Sequence, residues 1–438
     1  MHSRSTERFA LTVYQFAFSL FFPLAALVSL PILLLIRKRR KTFFKRFGWQ
    51  KFPRMPNDEA APVWIHALSV GEILSAMNLI RKTHARLTDR PLYLSVSTLS
   101  GFELARDKLG PHVDGVFYFP YDVIFSVWTC IRRVRPQLFV LTETDVWPGF
   151  LAELRRRRIS SMLVNGRLSP ESFRLYRRAR PLFQPALGTF DWIYPQSERE
   201  ADRFRSLGVE PGKIRGSGNL KFDTTESVPS AEELQALRDS LRLPAGSRVF
   251  LAGSTHPGEE AIVRNVFLKL KPSYPELVLI VAPRHPERSA ELLCLLQQDS
   301  LGVSLFSQPG DSSPGVVLVD RMGCLARLYA LADIAFVGAS LVPKGGQNPI
   351  EPACHGKPIL FGPDMRDFPD VSRWLVEAGG AIQVSDEDDL FNRCRELLSV
   401  PALARAMGEK ARRVVEENRG STERIVRDIL EIVRGDGG

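Results

Sequence analysis

The sequence predicts an α/β protein of two doubly wound, Rossmann-like domains facing a cleft, preceded by a helical membrane anchor. Three observations lead there. From Ala60 onward, short apolar runs rich in β-branched and aromatic residues alternate with amphipathic stretches. The rhythm breaks once, at the polar, aperiodic stretch after Phe222, and then restarts. The 28 residues from Phe9 to Ile36 carry no charge. Strands buried on both faces and separated by helices are the pattern of a parallel sheet covered on both sides.

Taken in order, the anchor comes first. A helix over the uncharged run reaches roughly 42 Å, more than the ~30 Å of a bilayer core. It ends in RKRRK rather than in a small-residue cleavage site, which separates it from a secretory signal. The net charge of +10 invites a nucleic-acid reading, but residues 1–54 hold eleven Lys/Arg and one acid, so the remainder is neutral. Phe43, Phe44, Phe47, Trp49 and Phe52, interleaved with Lys45, Arg46 and Lys51, suit a headgroup layer with anionic lipid. The expected partner is therefore a membrane surface and not nucleic acid, with the C-terminal side cytoplasmic. Five cysteines without CxxC spacing agree with a reducing compartment.

The strands of the first domain are expected at 62–67, 91–98, 115–119, 137–142, 160–165 and 189–195. Those of the second fall at 248–254, 277–283, 303–306, 316–320, 334–338 and 357–362, with one long charged helix over about 401–434. The division is thus 1–54 for the anchor and its basic-aromatic border, 55–222 for the first domain, 223–233 for a linker and 234–438 for the second. No P-loop, HExxH or GxSxG signature is present.

Candidate chemistry sits at strand-to-helix turns. In His66-Ala-Leu-Ser69-Val-Gly71-Glu72, Ser69 and Glu72 have the spacing of a capping box, as do Ser100 with Glu103 and Ser197 with Glu200. The first box contains Gly71, which lets another molecule approach the backbone, and Glu72 there can take a proton from a hydroxyl. Glu143-Thr-Asp145-Val-Trp147-Pro148 places carboxylates at a strand end, where an N-cap role is equally open. No residue with metal-ligand spacing accompanies them, so no metal is expected. Ser254-Thr-His256-Pro and Arg284-His285-Pro open helices, and Arg284 adds a bidentate phosphate donor. In Lys344-Gly345-Gly346-Gln347-Asn348-Pro-Ile-Glu351, the two glycines are expected to leave amides bare for a phosphate. Asn348 and Glu351 share a helical face, where a carboxylate can take both hydroxyls of a ribose.

HALSVGE, ETDVWP, NGRLS (165–169), GNLKFD (218–223), STHPGEE, APRHPER and GGQNPIEP, in this order, resemble the Kdo (3-deoxy-D-manno-octulosonic acid) transferases of lipopolysaccharide synthesis. That resemblance implies an inverting, metal-independent glycosyltransferase of GT-B type, needing no cofactor and working at the inner membrane on its cytoplasmic face. It implies CMP-Kdo as donor, bound by the second domain, and a tetra-acylated lipid A precursor as acceptor, bound by the first. By the same resemblance Glu72 is the base on the acceptor hydroxyl. Arg284 and the amides after Lys344 hold the CMP phosphate, Asn348 and Glu351 take the ribose, and Lys221 and Glu143 line the cleft. Gln347, Cys324 and Asp145 depart from the family's usual His, Glu and Glu. A UDP-sugar-dependent lipid glycosyltransferase and a non-catalytic, membrane-tethered nucleotide-binding scaffold are the rival readings. The number of Kdo residues transferred is not legible.

Overall fold

A computed structural model of the chain describes residues 2–28, 37–53, 60–216, 218–223, 229–298, 302–310 and 312–435, with side chains from residue 9 to 22 and from 42 onward. The chain forms two compact units, residues 1–224 with 419–438, and residues 225–418. In the first, β1 (Val63–His66), β2 (Leu92–Val96), β3 (Gly115–Tyr118), β4 (Leu138–Thr142), β5 (Ser160–Gly166) and β6 (Trp192–Pro195) make one sheet. Its order is β3-β2-β1-β4-β5-β6 and its pairings are parallel. The order reverses between β1 and β4, the place where open α/β sheets bind ligands at their strand ends. Two of the expected motifs of this unit, HALSVGE and ETDVWP, follow those two strands.

The second unit holds β7 (Arg248–Thr255), β8 (Leu277–Pro283), β9 (Val303–Leu305), β10 (Val316–Leu318), β11 (Ile334–Val337), β12 (Ile359–Phe361) and β13 (Ala381–Gln383). They are ordered β13-β12-β11-β7-β8-β10-β9, with parallel pairings and a reversal at β7 and β11. The expected strands are all present. β13, three residues at the sheet edge, lacks the apolar run that marks the others.

The ends of the chain differ from expectation. The first helix, His2–Val28, lies along the first unit: Tyr14 OH donates to Asp122 Oδ2 at 2.8 Å, and Phe22 packs on Tyr121 with ring centroids 4.8 Å apart. Among the described residues no helix is long and apolar enough to cross a membrane; residues 29–36 of the expected anchor lie outside them. Its polar residues explain the docking, because Tyr14 and Ser19 both find partners on the unit: Ser19 Oγ accepts from Ile124 N at 3.1 Å. Phe9, Val13, Phe16, Leu20 and Phe21 remain exposed.

The basic-aromatic border is also partly structural. Phe43 is buried, Phe52 packs on Phe117, and Arg46 lies 4.3 Å from the Tyr121 ring while its Nε donates to Phe119 O. Gln50 bonds Tyr118 N and O at 2.8 and 2.7 Å, extending the β3 edge. Phe44 and Trp49 alone among those five aromatics are well exposed.

The expected linker lies partly outside the described residues, and its far end is already helical. Ser230 and Glu233 form a capping box on the helix Ala231–Ser240. The single terminal helix is two, Pro401–Asn418 and Ser421–Arg434, broken where Gly420 takes φ +95°. The last helix belongs to the first unit rather than the second. Asp223 captures its start, accepting from Gly420 N and Thr422 N at 2.7 Å each, and Ile425, Val426 and Ile429 enter the core shared with β1, β2 and β4.

Candidate active site

At the reversal of the first sheet, Ser69 sits at the N-cap of the helix Val70–Arg86, which places Glu72 in its first turn. The capping box does not form. Ser69 makes no side-chain capping bond, and the Glu72 carboxylate turns back to accept from Leu68 N at 2.6 Å. Glu72 is buried, with Thr142 Oγ1 3.4 Å from its Oε2. Burial first, then the negative charge of Glu143 and of Asp145, raises its pKa to about 8 against the bonds from Leu68 and Thr142. Gly71 is exposed, and a Cβ there would meet nothing nearer than Ser69 Oγ at 3.9 Å, so the backbone is open to approach.

Ser100 does not cap either. The helix Leu99–Leu109 is capped by Thr98, which accepts from Gly101 N at 3.1 Å, whereas Ser197 accepts from Glu200 N as expected.

Past β4 the backbone turns at Glu143, whose φ of +58° is a strained value for a residue with a Cβ. Burial raises the Glu143 pKa, and the charges of Lys221 and Arg167 pull it back. Glu143 and Lys221, expected together, are therefore brought together. Arg167 was missed, although it lies in NGRLS; its signal was a cation one residue after β5. Lys221 is set by a short 3-10 turn, Leu220–Asp223, with its N–H donating to Asn219 Oδ1 at 3.0 Å.

Asp145 accepts from Trp147 Nε1 at 2.7 Å, and burial raises its pKa against that bond and the charge of Arg46. Its Oδ2 lies 4.0 Å from Nε2 of His66. His66 is fully buried, stacked 3.9 Å over Phe119, with Nδ1 within hydrogen-bonding distance of Ser95 O and Oγ. Burial drives its pKa down to about 3, so the ring is neutral. The sequence assigns His66 no role and Arg46 only a place at a headgroup layer, because nothing local announces a contact made through tertiary packing. Asp122 supports the same region: it accepts from Gly149 N at 2.8 Å and Phe150 N at 2.6 Å, fixing the start of the helix Pro148–Arg156.

In the second unit the turns after β7, β8 and β11 meet. His256 and His285 rings lie edge to face, 5.8 Å apart, and Arg284 N donates to Thr255 O. The Arg284 side chain is exposed and has no hydrogen bond or ion pair among the described residues. Asn348 Nδ2 donates to Glu351 Oε1 at 3.2 Å while its Oδ1 accepts from Ile350 N at 3.1 Å, so that pair is assembled at the start of the helix Ile350–Cys354.

The glycines are a correction. Gly345 N donates to Asp364 Oδ2 and Gly346 N to Ala339 O, both at 2.8 Å, so neither amide is bare for a phosphate. The two residues are glycines for their backbone: φ is +91° and +76°, and a Cβ on Gly346 would lie 2.4 Å from Met365 Sδ. Gln347 likewise donates its N–H within the loop, to Gly338 O, and Cys324 starts a short helix without capping it. No group of three or more His, Cys, Asp or Glu that could hold a metal occurs among the described residues.

Two Rossmann-like parallel-sheet units, with a buried carboxylate at the switch point of the first and an Asn–Glu pair at that of the second, have the architecture of the GT-B class. Residues 41–224 match the family model described as 3-deoxy-D-manno-octulosonic-acid transferase. The chain is 32% identical over 400 residues to the 3-deoxy-D-manno-octulosonic acid transferase of Haemophilus influenzae, covering 90% of this chain and 91% of that one. It is 30% identical over 423 residues to the enzyme of the same name from Chlamydophila psittaci, covering 94% and 95%. The chain belongs to the 3-deoxy-D-manno-octulosonic acid transferase family. Among solved structures it is similar to UDP-GlcNAc 2-epimerase from Neisseria meningitidis bound to UDP-GlcNAc, with TM-score 0.60, 14% identity and coverage of 84% of this chain and all of that one.

Proposed function

We propose that this Kdo transferase moves Kdo from CMP-Kdo to a hydroxyl of a lipid A precursor, with inversion, at the cytoplasmic face of the inner membrane. The observation that carries the reading is Glu72: a buried carboxylate at a sheet's switch point, held by one backbone amide, with a pKa raised to about 8. A carboxylate so tuned takes a proton near neutral pH far better than an ordinary one. The acceptor oxygen attacks the anomeric carbon of Kdo while its proton passes to Glu72. The bond from that carbon to the CMP phosphate breaks, and CMP leaves with the electron pair as a monoester.

On this reading Arg284 meets the leaving phosphate with its uncommitted guanidinium, and Asn348 with Glu351 takes the ribose. Glu143 and Lys221 form a compensated pair at the acceptor side, and Ser69 and Gly71 leave the approach to Glu72 open. The exposed stripe of Phe9, Val13, Phe16 and Leu20 supports association with a lipid surface. Mass spectrometry of the product from lipid A precursor and CMP-Kdo tests the reading, and counts the Kdo residues added. Glu72→Gln should retain CMP binding and lose about two to four orders of magnitude in kcat. Undiminished transfer by that variant would remove Glu72 from the mechanism, and competition by UMP rather than CMP would point to a UDP-sugar enzyme.

A further inference from the structure

STHPGEE contains a second glutamate that the reaction does not use. Glu259, the first residue of the helix Glu259–Leu270, is fully buried. Its Oε2 accepts from His256 N at 2.9 Å and from Ala339 N at 2.7 Å. Its Oε1 accepts from Ser340 N at 2.9 Å and Leu341 N at 3.0 Å. Three successive amides, converging where Ala339 takes φ +59°, make the concave anion cradle that elsewhere receives a phosphate. Here the protein's own carboxylate fills it.

The cradle lies after β11 and Glu259 follows β7, the two strands at which the sheet order reverses. From it the loop runs directly to the Asn348–Glu351 pair. Gly346 N donates to Ala339 O at 2.8 Å and Gln347 N to Gly338 O at 3.1 Å, tying the residues just before Asn348 to those held by Glu259. The Ser340 hydroxyl accepts from Gly362 N at 2.8 Å, which fixes the same turn to the end of β12.

We propose that Glu259 is a positioning residue for the donor nucleotide: by filling the amide cradle it sets the loop 338–347 and thereby the Asn348–Glu351 pair. The proposal rests on the assignment of that pair to the donor. It also explains why the donor phosphate is left to side chains such as Arg284, since the backbone site is taken.

The experiment compares wild type, Glu259→Gln and Glu259→Asp by calorimetric CMP binding and by steady-state kinetics with each substrate varied. The amide of Gln keeps one acceptor and turns an NH2 toward backbone donors, so the CMP Kd and donor KM should rise at least about tenfold. The acceptor KM should be unchanged. Asp, a carboxylate one methylene shorter, should show a smaller rise and serves if the Gln variant does not fold. Equal CMP Kd in wild type and a folded variant overturns the role of Glu259 and leaves the donor assignment standing. An equal rise in both KM values, tracking loss of thermal stability, reduces Glu259 to a general fold element. Absence of CMP binding by wild type overturns the donor assignment and this proposal together.

Discussion

In the proposed mechanism the chemistry turns on Glu72, and its raised pKa has two consequences. As a base it works in its ionised form, so kcat/KM for the acceptor should climb with pH through an apparent pKa near 8. A flat profile between pH 6 and pH 9, read from initial rates, would contradict that role. The second consequence concerns stability. The folded pKa lies above the ordinary carboxylate value, so the folded state holds the proton more tightly than the unfolded state does. The stability from this group is complete below the unfolded pKa, is lost as pH rises from about 4.5, and is gone above about 8. Glu72→Gln should therefore unfold at a higher temperature than wild type at pH 8.5, with the difference vanishing near pH 4. The candidate residues Glu72, Glu143 and Lys221 were legible because each lies in a short motif beside a strand end. His66 and Arg46 were not, since burial and a contact made across the fold give them their place.

At the scale of elements, the first helix and the loop 338–347 carry the lesson. Hydropathy reads residues 9–36 as one object, whereas the described part, residues 9–28, is a helix docked by Tyr14 and Phe18, the latter edge-on to Trp147 with ring centroids 6.4 Å apart. Trp147 in turn holds Asp145, so this helix buttresses the loop after β4. Tyr14→Phe removes a hydrogen bond to a buried carboxyl and should cost about 1–2 kcal/mol of stability, seen as an earlier unfolding midpoint in urea. Phe9→Ser, Phe16→Ser and Phe21→Ser together should weaken sedimentation with anionic vesicles while leaving that midpoint unchanged, because these side chains face away from the unit. In the loop, a glycine pair was read as open amides. Counting glycines shows where the backbone is free to turn, and only the fold shows that Asp364 and Ala339 have already claimed the N–H groups. Gly346→Ala forces a side chain to φ +76° and onto Met365, so it should cost about 1 kcal/mol or more and weaken CMP binding, measured by calorimetry.

For the whole molecule, the parallel sheets were legible almost strand for strand, because strands buried on both faces read as unbroken apolar runs. β13 escaped for want of such a run. The concentration of net charge in residues 1–54 is the clearest global feature of the sequence, and part of that segment is structural. Arg46, Gln50, Phe43 and Phe52 are built into the edge and core of the first unit, so a chain beginning at Met55 should be less stable than the full one.

The return of Ser421–Arg434 to the first unit sets the order in which the protein can be made. Residues 225–418 are contiguous and can close their core as soon as they leave the ribosome. The first unit cannot, because Asp223 awaits amide partners 197 and 199 residues further along the chain. At 5–20 residues per second, its last helix arrives roughly 10 to 40 s after residue 224. Through that interval the part of the core that Ile425, Val426 and Ile429 complete stays open, and the half that is synthesised first is the half that finishes last.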